Sequence, residues 1–190
     1  MKTKIFVRVF TAAVVWLLLF VLASSTGSIH PACYAYAGTF VPLLFSFVYL
    51  YTAKNMRCFG AAAALNGLAL AAALILGEAD LPMIAGMILL ALAAELIRYR
   101  IGYDTLKGVF WSFIPLAFSF YVYTAHWWTD TEGSLAAAVE EMPAGYADKM
   151  IPIINNIPMY IIMLVLTVPV AVLSMKLAQR VMKKQAAALA

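Results

Sequence analysis

Charge is what this sequence has least of. Only 12% of its 190 residues are Asp, Glu, Lys or Arg, where a soluble domain carries about 25%. Histidine and cysteine are scarcer, at two residues each. The chain contains no GxxxxGK[ST] loop, no HExxH and no CxxC. It therefore has no recognisable device for hydrolysing ATP. No Gly-rich loop opens a soluble domain. What is there in quantity is apolar: 65% of the residues are hydrophobic and mean hydropathy is +0.93. A core of this length cannot hide so much apolar surface from water. The composition reads as an all-α integral membrane protein. The net charge of +4 does not point to nucleic acid, because the bases gather at the ends of apolar runs.

A membrane span needs ~20 mostly apolar residues, or ~17 at the short end. Six runs qualify, at about 5–23, 34–53, 59–76, 81–97, 109–126 and 157–177. Pro42 interrupts the second. Lys2, Lys4 and Arg8 before the first run mimic a signal peptide, and Ala23-Ser24-Ser25 offers a passable cleavage site. More spans follow and the charge pattern needs this one, so the run is expected to stay. Twelve of the thirteen bases fall at the N-terminus, the 54–57 turn, the 98–107 turn and the C-terminus. The opposite segments hold only Lys149. Cations collect on the cytoplasmic side. The expected topology is a six-helix bundle in the cell membrane with both termini cytoplasmic. Cys33 and Cys58 then lie on opposite sides, so no disulfide joins them.

The 127–156 segment is the one sizeable polar piece. It holds five of the nine carboxylates. Trp127 and Trp128 fit an outer interfacial belt. A short amphipathic helix is expected from Ser134, with Leu135 and Val139 facing inward and Pro143 and Gly145 ending it. Helix contact in a membrane depends on small residues. Ala63, Gly67 and Ala71 make such a face on the third span, and Thr11, Ala12 and Ala13 a shorter patch on the first. For the third span the blander reading is packing inside the bundle. The sharper one is docking of another membrane subunit.

Candidate chemistry lies at two depths. Glu95 is the sole charge well inside a span, one turn from Arg98. Its bland reading is an ion pair snorkelling at the interface. Its functional reading is a contact to a cytoplasmic partner. At the outer end stand His30 and His126, the only histidines, with Tyr34, Trp127, Asn155, Asn156, Met159 and Tyr160. Anchoring explains most interface aromatics. Amides and imidazoles at a bundle mouth suit a polar or planar ligand. His and Met also serve haem iron as axial ligands, which makes haem, with His30 and His126 as ligands, the leading expectation. A vitamin or its precursor follows.

Several stretches carry a resemblance. They are HPACYAYAGTFVPLL, KNMRCFG, LALAAELIRY before a basic turn, AGYADKM, and the basic end LSMKLAQRVMKKQ. With six spans in 190 residues, the chain resembles the Trep_Strep group of S components of energy-coupling-factor (ECF) importers. That resemblance implies a substrate-binding subunit with no cofactor of its own and no enzyme activity. A separate membrane coupling subunit and two cytoplasmic ATPases would use the ATP. Many S components dock through an AxxxA face on the first helix. Here Trp16 and Leu17 stand four residues after Ala12 and Ala13, so the motif is not met. Docking contacts are expected at Ala12, Ala13 and Glu95. The rival readings are a stand-alone secondary carrier, with sodium held through Asn66 or backbone carbonyls, and a membrane-embedded enzyme.

Overall fold

The computed structural model describes residues 2–188, with side chains described from 3 to 185. The side chain of Lys2, counted above among the N-terminal bases, lies outside that range. Helices are the only regular structure among the described residues. In chain order they are α1 (Lys2–Ser25), α2 (Pro31–Phe40), α3 (Pro42–Asn55), α4 (Ala61–Leu76), α5 (Leu81–Ile101) and α6 (Leu106–Leu116). Then come α7 (Ser119–Tyr123), α8 (His126–Thr129), α9 (Thr131–Glu141), α10 (Tyr146–Ile154) and α11 (Ile157–Ala188).

Four spans meet the length and hydropathy of a membrane crossing: α1, α5, α6 continued through α7, and α11. A fifth forms if α2 and α3 count as one span bent by 42°. The bend falls before Pro42, whose ring cannot continue the ladder of the preceding turn. The third expected span is the exception. α4 has 16 residues between two left-handed glycines, Gly60 at φ 119° and Gly77 at φ 77°. Only glycine adopts that conformation without strain, so the glycines fix its length. At 1.5 Å per residue α4 reaches ~24 Å, short of a ~30 Å hydrocarbon core. The fifth span ends at Tyr123 rather than 126, because the chain turns into α8.

Aromatic rings fill the centre. Trp16 stacks on Phe45 at 3.9 Å, Phe20 lies 5.2 Å from Phe45, and Phe120 lies 5.6 Å from Phe20. Gly38 lets α7 approach α2: a Cβ there would lie 2.5 Å from the Tyr121 ring. Tyr121 also shares a hydrogen bond with Thr39 at 2.5 Å, and Thr39 donates to the Met163 carbonyl of α11.

The bundle has two chemically distinct ends. Arg8 bonds Asn55, Arg57 pairs with Asp104, and Gln179 donates to the Leu106 carbonyl. These contacts gather the start of α1, the end of α3, the α5–α6 turn and the last third of α11 at one basic end. The acidic end holds the α1–α2 and α4–α5 turns and the α8–α10 segment.

Two expectations about packing change. Ala12 and Ala13 are buried in the central cluster, so neither offers a docking face. Ala63, Gly67 and Ala71 are exposed, and nothing lies within 4 Å of a Cβ built on Gly67. The face of α4 that enters the bundle carries Ala62, Leu65, Asn66, Ala69 and Ala73 instead.

Candidate functional site

Helix caps build the acidic end. Asp80 accepts the Met83 N–H at 2.7 Å and starts α5. Asp130 accepts the Gly133 N–H at 3.2 Å and starts α9. His30 Nδ1 accepts the Ala32 N–H at 3.1 Å and starts α2, with Pro31 in the first helical position. Side-chain acceptors at these positions satisfy N–H groups that the helix itself leaves open. Each cap also fixes the direction of its side chain.

α9 folds back over α8. Ser134 Oγ donates to the His126 carbonyl at 3.0 Å and lies 2.8 Å from His126 Nδ1. A hydroxyl has one proton to give. With that proton on the carbonyl, His126 Nδ1–H is the donor to Ser134 Oγ, and Nε2 is left as an acceptor. Burial lowers the pKa of His126, against the opposing pull of Asp80, Glu78 and Asp130. The buried face of α9 is Ser134 and Ala138. Leu135 is half-buried and Val139 is 72% exposed, so the expected inward pair does not form. The helix ends at Glu141, before Pro143, and Gly145 instead opens α10, an amphipathic helix that the sequence reading did not foresee.

Under this roof lie two connected lobes. One, of about 390 Å³, sits beneath α9 and is lined by His126, Trp127, Asp130 and Ser134. The other, of about 410 Å³, faces α10 and is lined by His30, Gly27, Tyr146 and Lys149. Tyr34, Glu78, Tyr123 and Met142 belong to both. The rings of Tyr34, Tyr123 and Trp127 meet edge to face: Tyr34 lies 6.4 Å from Tyr123 and 6.4 Å from Trp127. Tyr123 donates to Glu78 Oε2 at 2.9 Å. Cavities of roughly 300–1,000 Å³ with an apolar wall and a few convergent polar groups are the usual form of a small-molecule site.

Four of the residues expected at the site line these lobes: His30, Tyr34, His126 and Trp127. Four do not. Asn156 caps α11 by accepting the Met159 N–H at 3.2 Å, and Asn155 ends α10; both are exposed. Met159 is 40% exposed and lines neither lobe. Tyr160 stacks on Trp128 at 4.0 Å, away from the cavity. The sequence reading missed Glu78, Asp80, Glu141 and Met142 as lining residues. Asp80 had a signal, since it immediately precedes Leu81-Pro82 at a helix start. Among the described residues no group of three His, Cys, Asp or Glu is placed to hold a metal ion.

Glu95 and Arg98 are not at an interface. Both are buried, at 1% and 0% side-chain exposure, with Oε2 and Nη1 3.8 Å apart. Glu95 Oε1 accepts the Ala62 N–H at 2.7 Å, and Arg98 Nη2 donates to the carbonyls of Met56 at 2.8 Å and Ala53 at 3.2 Å. Glu95 is thus turned into the bundle and offers no surface to a partner.

A largely helical protein with membrane-spanning helices and a roofed cavity at one end is the class these features define. The chain belongs to the Trep_Strep family, described as hypothetical bacterial integral membrane proteins, whose profile matches residues 1–187. No curated protein and no solved structure matches it.

Proposed function

We propose that the chain is the substrate-binding membrane subunit of an ECF-type importer. It takes a small molecule into the two-lobed cavity from outside the cell and passes it inward with a coupling subunit and two ATPases. The observation that carries this reading is the cavity itself. It lies at the end opposite the basic turns, under a roof of two short helices, α9 and α10. Both termini are cytoplasmic in this reading, because the basic end then faces the cytoplasm. ATP is used by the partner subunits, consistent with a chain that has no phosphate-binding loop.

The geometry favours binding over catalysis. Among the described residues one serine meets a histidine, and with the Ser134 proton given to the His126 carbonyl the imidazole donates to the hydroxyl, the wrong way for nucleophile activation. Haem draws little support, since no lobe is lined by both histidines. For the coupling subunit we assign the exposed Ala63–Gly67–Ala71 face of α4 rather than Ala12 and Ala13, because its small residues admit a neighbouring helix closely. Affinity purification from native membranes tests the whole reading. Recovery of a membrane coupling subunit and two ATPases supports it, and their loss in Gly67→Leu supports the docking face. Uptake into vesicles by the chain alone would favour the secondary-carrier alternative instead.

A further inference from the structure

A third space adjoins the two lobes, and it lies among the spans. It is a slot of about 220 Å³ between α1 and α4. Ala69, Ala72 and Ala73 of α4 face Leu17 and Val21 of α1 across it, and methyl side chains are too short to close the gap. Val21 and Leu76 line the slot and are exposed, so it opens sideways. Lipid tails are as apolar as these side chains, so that opening suits hydrocarbon. On the other side the slot reaches the cavity. Glu78 and Tyr123 line it and both lobes, and Ser24 lines it and the lobe facing α10. Leu76 in the slot is followed directly by Gly77 in the lobe beneath α9. The Tyr123–Glu78 hydrogen bond, at 2.9 Å, stands where the aliphatic wall gives way to a polar one. The length of α4 points independently to the same place. Its 16 residues reach only ~24 Å, and a helix shorter than the hydrocarbon core thins the bilayer around it. Thinning draws the headgroup layer toward Gly77, beside that junction. A molecule lying in the outer leaflet there has its head level with the lobes and its tail level with the slot.

We infer that the molecule taken into this cavity is a small amphiphile that enters sideways from the outer leaflet, its polar head under the α9–α10 roof and its apolar tail between α1 and α4. The inference rests on reading the cavity as the binding site, and it names the substrate class of that site. A wholly polar solute leaves the slot unfilled, because an aliphatic space does not hold water. A lipid that only coats the bundle keeps its head outside the roof.

Two photoreactive forms of dodecanol separate head from tail, one with a diazirine beside the hydroxyl and one with it at the far end of the chain. Each is added to native membranes holding the full chain and irradiated, and the attachment sites are mapped by peptide mass spectrometry. The expected result is saturable labelling that plain dodecanol displaces. The tail form should label 17–24 and 69–76, and the head form the lobe residues between 123 and 149. The exposed side chains of Ile162, Val165 and Leu166 on α11 report bulk lipid, and labelling there should rise without saturating. Ala72→Phe fills the slot and should abolish both specific labels while the α11 label stays. Val21→Trp, at the exposed edge of the slot, should do the same without altering a packed position. Labelling that climbs in parallel with that of α11, a head label outside the lobes, or a head label that survives both blocks overturns the inference. Co-purification of the coupling subunit and ATPases is read on the same membranes. Bulk-like labelling with those partners retained sinks the amphiphile alone; saturable slot labelling without them sinks the importer reading alone.

Discussion

The two ends of this bundle use the same kinds of charge to different effect. At the basic end, Glu95 and Arg98 are buried and turned to helix termini: the carboxylate takes an N–H from the first turn of α4, and the guanidinium takes carbonyls at the end of α3. Anion at an N-terminus and cation at a C-terminus each complement the helix dipole. Tyr103 lies under the guanidinium at 4.9 Å. Those charges hold three helices together. At the acidic end, Asp80 and Asp130 also cap helices, yet their remaining oxygens face a cavity. A charge used up by its own backbone is scaffold. A charge with free lone pairs over an opening is available to a ligand.

The strongest way to break this contrast is at Arg98. Arg98→Met leaves the Glu95 carboxylate buried with no cation beside it. Removing one partner of a buried pair costs about 3–5 kcal/mol, so thermal unfolding in detergent should show a large fall. Adding Glu95→Gln should recover much of the loss, because the amide still accepts the Ala62 N–H. A melt unchanged by Arg98→Met would mean that the pair does not hold α3, α4 and α5.

A smaller loss is expected where small size alone matters. Gly38→Ala drives a methyl to 2.5 Å from a Tyr121 ring that is fixed by its bond to Thr39 and by Tyr160 at 6.0 Å. Overpacking of this kind costs about 1–3 kcal/mol. At Gly67, inside α4 with open space around its Cβ, the same change should raise the melt slightly, because alanine is the better helix former, so the pair of glycines separates bundle packing from surface.

The acidic end should respond to pH more locally. Burial lowers the pKa of His126, so the closed α8–α9 arrangement binds the proton less readily than an opened one. Its contribution is present above the ordinary imidazole range near 6.5 and is lost as pH falls through the lowered value. Protonation takes place at Nε2 and leaves the Nδ1–H bond to Ser134 in place, so the loss comes from holding a charged imidazole in a buried position. Hydrogen-exchange protection of 131–141, taken relative to the intrinsic exchange rate at each pH, should therefore be lower at pH 5 than at pH 7.5, and His126→Asn should remove most of that dependence. Protection that is insensitive to pH would detach the roof from the histidine.

Membrane class and helical content were legible because long apolar runs have one stable form in lipid. The short α4 was not, since hydropathy counts residues up to Gly60 and Gly77 without registering that these glycines turn the chain. His30 and Trp127 were found as polar or aromatic residues at a span end. Asn155 and Asn156 satisfied the same rule and failed, because an amide beside a helix start is first of all a cap; Asn156 before Ile157-Pro158 carried that signature in full. Glu78 and Glu141 are distant in sequence and meet only through the fold of α9 over α8. No local pattern marks such a pair.

The smallest effect sharpens the comparison most, because it holds chemistry and location fixed. Arg57 and Asp104 form an ion pair at 3.6 Å at the same basic end as Glu95 and Arg98, at 3.8 Å. The separations barely differ. Exposure does: 71% and 69% for the outer pair, against 0% and 1% for the inner. In water each outer ion keeps its hydration when its partner leaves, and holding two long side chains in one geometry costs entropy. Asp104→Asn should shift stability by no more than roughly 0.5 kcal/mol, and what shift there is should vanish at high salt, where exposed charges are screened. The Arg98→Met loss should persist in that salt. If both losses fade together as salt rises, water reaches the inner pair, and the basic end is as open as the acidic one.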